Sequence, residues 1–210
     1  MLSTRWVAPI LAGFLTVTAA GAVAGQTMSP AAPKPAEQMP PAPPPADAPP
    51  PGTLQPGDAF GLEVMLPELT IVLTKGHANW DSAFDTLIAS FKALHAYLDK
   101  EGIKPTGAAM TIYTKTDETG FDFEAAYPIA AAPASPPPDK IAVGQAPAGK
   151  ALKFVHRGAY DAMDTTYETI TNFLDDHSID AKDMFIEQYA TDPLVSNPDR
   201  LVIDIYVPIK

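Results

Sequence analysis

Two stretches of this chain step their apolar residues at intervals of three and four. The first is Trp80, Phe84, Leu87, Phe91, Leu94 and Leu98, and the second is Met163, Tyr167, Ile170 and Leu174. That spacing gathers the side chains on one stripe of a helix. Asn79 and Asp161 stand where helix N-caps are expected, and Gly102 and Ser178 where the helices should stop. Apolar or β-branched runs flank each stripe. Ala109 to Lys115 and Phe121 to Tyr127 follow the first, and Met184 to Ala190 and Leu201 to Val207 follow the second.

The pattern repeats at a spacing of about 80 residues. Gly61 to Pro67 lies over Ile141 to Pro147, Lys75-Gly76 over Arg157-Gly158, and Tyr127-Pro128-Ile129 over Val207-Pro208-Ile209. Each copy therefore reads β-β-α-β-β, at about 60–129 and 140–210, with the Pro-rich stretch from Pro133 to Pro138 as connector. The expected fold is α+β, a pseudo-twofold tandem with an antiparallel sheet. A one-striped helix covers one sheet face. The expectation places the helices on that face and a ligand groove on the other.

Composition alters the picture only before residue 60. Residues 1–24 resemble a secretory leader, with Arg5, an apolar run from Trp6 and the small-x-small site Ala22-Val23-Ala24. A cleaved leader implies a periplasmic or secreted protein, and a retained one a membrane anchor. Residues 25–59 are rich in Pro and Ala, which favours an extended, disordered tether and supplies little to bury. The formal charge of -11 argues against nucleic acid or an anionic membrane as partner. No basic DNA-reading segment is evident beside the leader and the tether. With no cysteine, disulfides and thiol chemistry are excluded.

The second copy resembles the GyrI-like, or AraC-type effector-binding, family. The residues that carry this are His156-Arg157-Gly158-Ala159-Tyr160, then Phe185 to Pro193 with its Glu187-Gln188-Tyr189 core, then Ile205 to Ile209. The resemblance implies a small-molecule domain with a groove whose acidic residue sits among aromatic rings and meets apolar or cationic ligands. That acidic position falls on Glu187.

Strand alternation puts Phe185, Glu187 and Tyr189 on one face, with Met184, Ile186 and Gln188 on the other. With Met184 and Ile186 turned to the helices, Glu187 would face the open groove as charge partner and Phe185 and Tyr189 as ring surfaces. In the first copy Thr111 matches Glu187 and Tyr113 matches Tyr189, which adds one aromatic wall and leaves the acid one-sided. Trp80 and Tyr160 either close the groove ends or staple their helices to the sheet. Tyr206 and Tyr127 stand one register apart, so only one of them can share the site's face, and Tyr206 is the candidate.

The four histidines show no ligand spacing, each reads as a surface or edge residue, and no metal or cofactor is expected. Serine-nucleophile and nucleotide-loop motifs are absent. Two alternatives stay beside small-molecule binding. The resemblance allows a hydrolase of cyclopropane-type electrophiles with Glu187 as general base, and a protein-interaction module of gyrase-inhibitor type. Oligomeric state is open.

Overall fold

The computed structural model describes residues 54–210, and the expected leader and most of the Pro/Ala-rich segment lie outside them. The first copy gives β1 (Phe60–Leu66), β2 (Thr70–Asn79), α1 (Ala83–Glu101), β3 (Met110–Thr116) and β4 (Gly120–Pro128). The second gives β5 (Ala142–Gln145), β6 (Gly149–Gly158), α2 (Met163–Asp176), β7 (Phe185–Tyr189) and β8 (Leu201–Pro208). Both helices are entered through a single 3-10 turn, Trp80–Ser82 and Tyr160–Ala162, so the true caps are Ser82 and Ala162 rather than Asn79 and Asp161. Gly102 does end α1: its left-handed φ of 66° is cheap only for glycine, and its N–H closes on Asp99 and Leu98 carbonyls.

All strand pairings are antiparallel, in the order β1-β6-β8-β7-β3-β4-β2-β5. That order reads the same from either end when β1 to β4 are exchanged in turn for β5 to β8. The opening strand of each half pairs outside its own half, β1 on β6 and β5 on β2, which interlocks the two copies. At the centre β3 lies against β7 with Thr111 opposite Glu187 and Tyr113 opposite Phe185. The two positions matched by the sequence repeat thus face each other where the halves meet.

The helices lie on one sheet face and bury the main core. Leu87, Phe91, Leu94 and Leu98 of α1 and Met163 and Ile170 of α2 pack on Phe121, Phe123, Phe154, Ile203 and Ile205. Each such fully buried side chain contributes roughly 1.5–3 kcal/mol relative to exposure. A smaller cluster on the opposite face joins Ile71, Leu73, Met110, Ile112 and Ile186. Among the described residues no helix is long and apolar enough to cross a membrane.

Near the start of the described chain, Asp58 receives both Arg157 Nε and a terminal guanidinium N–H at 2.7 Å. The fork holds the Asp58 carboxyl down at about 2, chiefly through that hydrogen bond. The chain entering β1 is thereby tied to β6 of the other copy.

Gly120 opens β4 just after the β3-β4 turn and pairs with Asn79 at the end of β2. A Cβ at Gly120 would overlap the Ala78 carbonyl oxygen, which is backbone and cannot rotate aside. Gly120→Ala is expected to destabilise the fold by about 1–3 kcal/mol, as overpacking does, read as a lowered urea midpoint with an unchanged slope.

Candidate functional site

Glu187 lies wholly buried at the middle of the sheet, on the face that carries the helices. The expectation that it would turn away from them is overturned by Tyr167, which reaches across from α2 and donates its hydroxyl to Glu187 Oε1 at 2.7 Å. Phe185, Glu187 and Tyr189 do share one face, as alternation requires. Ile186 packs instead in the small cluster on the far side. The central strands are apolar on both faces, so the alternation names companions without saying which companions meet the helices.

Four tyrosines converge on the carboxylate. Tyr189 donates to Oε2 at 2.9 Å, from two positions along the same strand, and its hydroxyl stands 3.5 Å from Thr111 Oγ1. Tyr113 and Tyr160 join hydroxyls at 2.8 Å. The rings continue outward: Phe84 of α1 stacks on Tyr160 at 5.0 Å, and Tyr167 meets the edge of Phe185 at 5.2 Å. Phe84, Tyr160, Tyr167 and Phe185 are half-buried, whereas Tyr189 and Thr111 are buried. The cluster is thus sealed at its acidic centre and most accessible at its aromatic rim.

Electrostatics follow from that enclosure. Burial pushes the Glu187 carboxyl above its usual range, opposed by hydrogen bonds from Tyr167, Tyr189 and Tyr113. Tyr113, Tyr160, Tyr167 and Tyr189 are all held well above their ordinary value, first by burial and then by the nearby carboxylate. The hydroxyls therefore stay protonated and donate. Among the described residues, none of the groups acting on Glu187 is a cation.

His156 is buried, contrary to the expected surface placement. Its Nε2 stands 3.0 Å from the Ala159 carbonyl, which only accepts, so Nε2 carries the proton and Nδ1 accepts from Thr166 at 2.8 Å. Burial lowers its basicity. The imidazole thus pins the corner that presents Tyr160 to the first turns of α2.

The remaining candidates separate. Tyr113 and Tyr160 belong to the chamber. Trp80, in the position matched to Tyr160, is half exposed, rests on Phe121 at 5.0 Å and donates its indole N–H to the Asp117 carbonyl, so it acts as a helix staple. Tyr206 lies on the opposite face, because it pairs with Ile186 across β7-β8. Its register partner Tyr127 is the one beneath the helices, against Phe91. The sequence offers Tyr167 and Phe84 only as members of the apolar stripes; a hydroxyl on an otherwise apolar helical stripe is the one signal for Tyr167. Among the described residues no group of three His, Cys, Asp or Glu residues converges to hold a metal.

A broad antiparallel sheet with one helix per half thus buries an acid among aromatic rings. The chain belongs to the GyrI-like family: the model of the GyrI-like small molecule binding domain matches residues 63–210. No curated protein matches it. Among solved structures it is similar to EcmrR in its DNA complex, with a TM-score of 0.61 and 17% identity over 71% of this chain and 56% of that one. The EcmrR C-terminal domain gives 0.55 and 16% over 71% and 96%. SAV2435 bound to tetraphenylphosphonium gives 0.50 and 15% over 71% and 93%. The chain spans about half of the EcmrR chain in the DNA complex, and at these identities the likeness speaks for the fold.

Proposed function

We infer that the chamber around Glu187 binds a cationic molecule with apolar or aromatic substituents. The observation that carries this reading is a fully buried carboxylate whose partners are tyrosine hydroxyls, with no cation beside it. A buried acid without a counter-charge weakens a fold, and such local costs collect at functional sites. A bound cation would supply the missing charge, and the rings of Tyr113, Tyr160, Tyr167 and Phe185 would add cation-π attraction of roughly 0.5–2 kcal/mol per contact. SAV2435, similar in fold, was solved with such a cation. Entry requires part of the surrounding ring cluster to move, because Glu187 has no exposed surface.

The same reading makes the protein an exported binder without DNA readout. Arg5, the following apolar run and Ala22-Val23-Ala24 support export, and the charge of -11 opposes nucleic acid. The Pro/Ala-rich residues then act as a spacer between leader and domain.

Calorimetric titration with tetraphenylphosphonium and with neutral triphenylphosphine oxide tests the ligand class. The cation should bind at least tenfold more tightly, and its advantage should shrink as pH falls, since it favours the charged form of Glu187. Equal affinity for the two probes would count against a carboxylate-centred site.

A further inference from the structure

The face of the sheet away from the helices holds a partly open hollow of about 130 Å³, back to back with the Glu187 chamber across β7. Met110 and Ile186 form its floor. The turns β1-β2 and β5-β6 lean over it and supply Pro67 and Pro147, matched positions of the two copies that present C–H walls and no N–H donors. The Ala146 N–H bonds the Leu69 carbonyl at 2.9 Å and locks the two turns together, so the walls are rigid.

Polar character enters at one corner. The Tyr206 hydroxyl donates to Gln188 Oε1 at 3.2 Å, which occupies the amide's acceptor. The amide nitrogen of Gln188 has no protein partner among the described residues, and Gln188 lines the hollow half-buried. The nearest charge is already spent: Lys153, which stands 5.7 Å from the Tyr206 ring, is paired with Asp204 at 2.7 Å.

We propose that this hollow is a second binding site, for a small neutral carbonyl compound whose oxygen accepts from the Gln188 amide while its hydrocarbon part lies on Met110 and Ile186 between the two prolines. Size sets the upper limit. An apolar cavity of about 150 Å³ accommodates benzene, so the ligand has a single ring or a short chain, any larger part reaching out of the open side. A preformed floor and rigid walls favour such a ligand because little has to be ordered on binding. Charge is unwelcome, since no unpaired charged group lines the hollow. The site is separate from the cation chamber, because side chains at 186 and 188 point away from those at 185, 187 and 189.

The test uses acetophenone and cyclohexanone as probes of the hollow and phenol as a donor control. Titration followed by the Gln188 side-chain amide and the Met110 methyl signals should give a dissociation constant on the order of 1 mM for the ketones. Gln188→Leu should weaken ketone binding about tenfold, and Ala146→Leu, which fills the hollow, should abolish it while the melting curve shows a folded domain. Tetraphenylphosphonium titration of Gln188→Leu should match the parent, so a failure of the cation reading is told apart from a failure of this one. Ketone shifts confined to helix-side residues, unchanged affinity in Gln188→Leu, or tighter binding of phenol than of ketones would each overturn the proposal.

Discussion

Glu187→Gln yields a domain that melts higher than the parent at pH 8 and no longer discriminates cations. The sign follows from linkage. Burial raises the folded-state pKa of Glu187 above its unfolded value of about 4.3. The unfolded chain therefore releases that proton first as pH rises. Stability associated with the protonated acid is complete below the unfolded value and is lost as pH climbs through the folded one. Glutamine does not titrate and keeps the shape of the protonated acid, so the two proteins should melt alike near pH 4 and diverge with rising pH. At pH 8 the variant should lead by roughly 2–4 °C, about 1 kcal/mol for a domain of this size. Removing the charge should weaken tetraphenylphosphonium binding about 10- to 100-fold, the worth of a charged contact of about 1.5–3 kcal/mol. Differential scanning calorimetry across pH 4–8, with titration at pH 8, checks both halves. A variant that melts lower than the parent at pH 8 would mean that the tyrosine hydrogen bonds outweigh burial, and that the acid is structural.

That opposition between stability and binding explains which parts of the site could be read from sequence. The order of elements was legible because two periodicities announce themselves locally: threes and fours in α1 and α2, twos in the strands, repeated at about 80 residues. The companionship of Phe185, Glu187 and Tyr189 was legible for the same reason, whereas the pairing of Thr111 with Glu187 across β3 and β7 was not, because equivalence in a repeat does not say which strands meet. The side of the sheet was not legible. Ile186 and Tyr189 are both apolar enough to meet a helix, and only the placement of α2, which brings the Tyr167 hydroxyl onto Glu187, decides between them. Trp80 and Tyr160 show the limit of the repeat as a guide. They occupy matched positions at the helix entries, yet Tyr160 turns inward to Tyr113 while Trp80 turns out to the Asp117 carbonyl. Parity settled the last pair: Tyr127 and Tyr206, one register apart, point to opposite faces, and the one chosen for the site is the one that lines the hollow behind it.

Phe91→Ala should show that the chamber is held in shape by the α1 core and not by its own hydrogen bonds. Phe91 is fully buried, and its ring meets the edges of Tyr127 at 5.9 Å and Tyr189 at 5.3 Å. It is therefore the wedge between α1 and the strand residue that donates to Glu187 Oε2. Truncation removes the ring and leaves a cavity, which for phenylalanine costs about 3–5 kcal/mol. A loss of about 2–4 °C per kcal/mol then places the melting temperature roughly 10 °C lower. The consequence for binding is separate from the loss of fold. With Phe91 gone the Tyr189 ring gains room to rotate, and the carboxylate loses one of the hydroxyls that orient it. Tetraphenylphosphonium affinity, measured at a temperature where calorimetry shows the variant fully folded, should fall several-fold. Phe91→Leu fills much of the space and should recover most of the stability but less of the affinity, because a branched aliphatic chain does not hold the Tyr189 ring edge-on. Equal recovery of both would assign Phe91 to general core packing and leave the orientation of Tyr189 to its own strand.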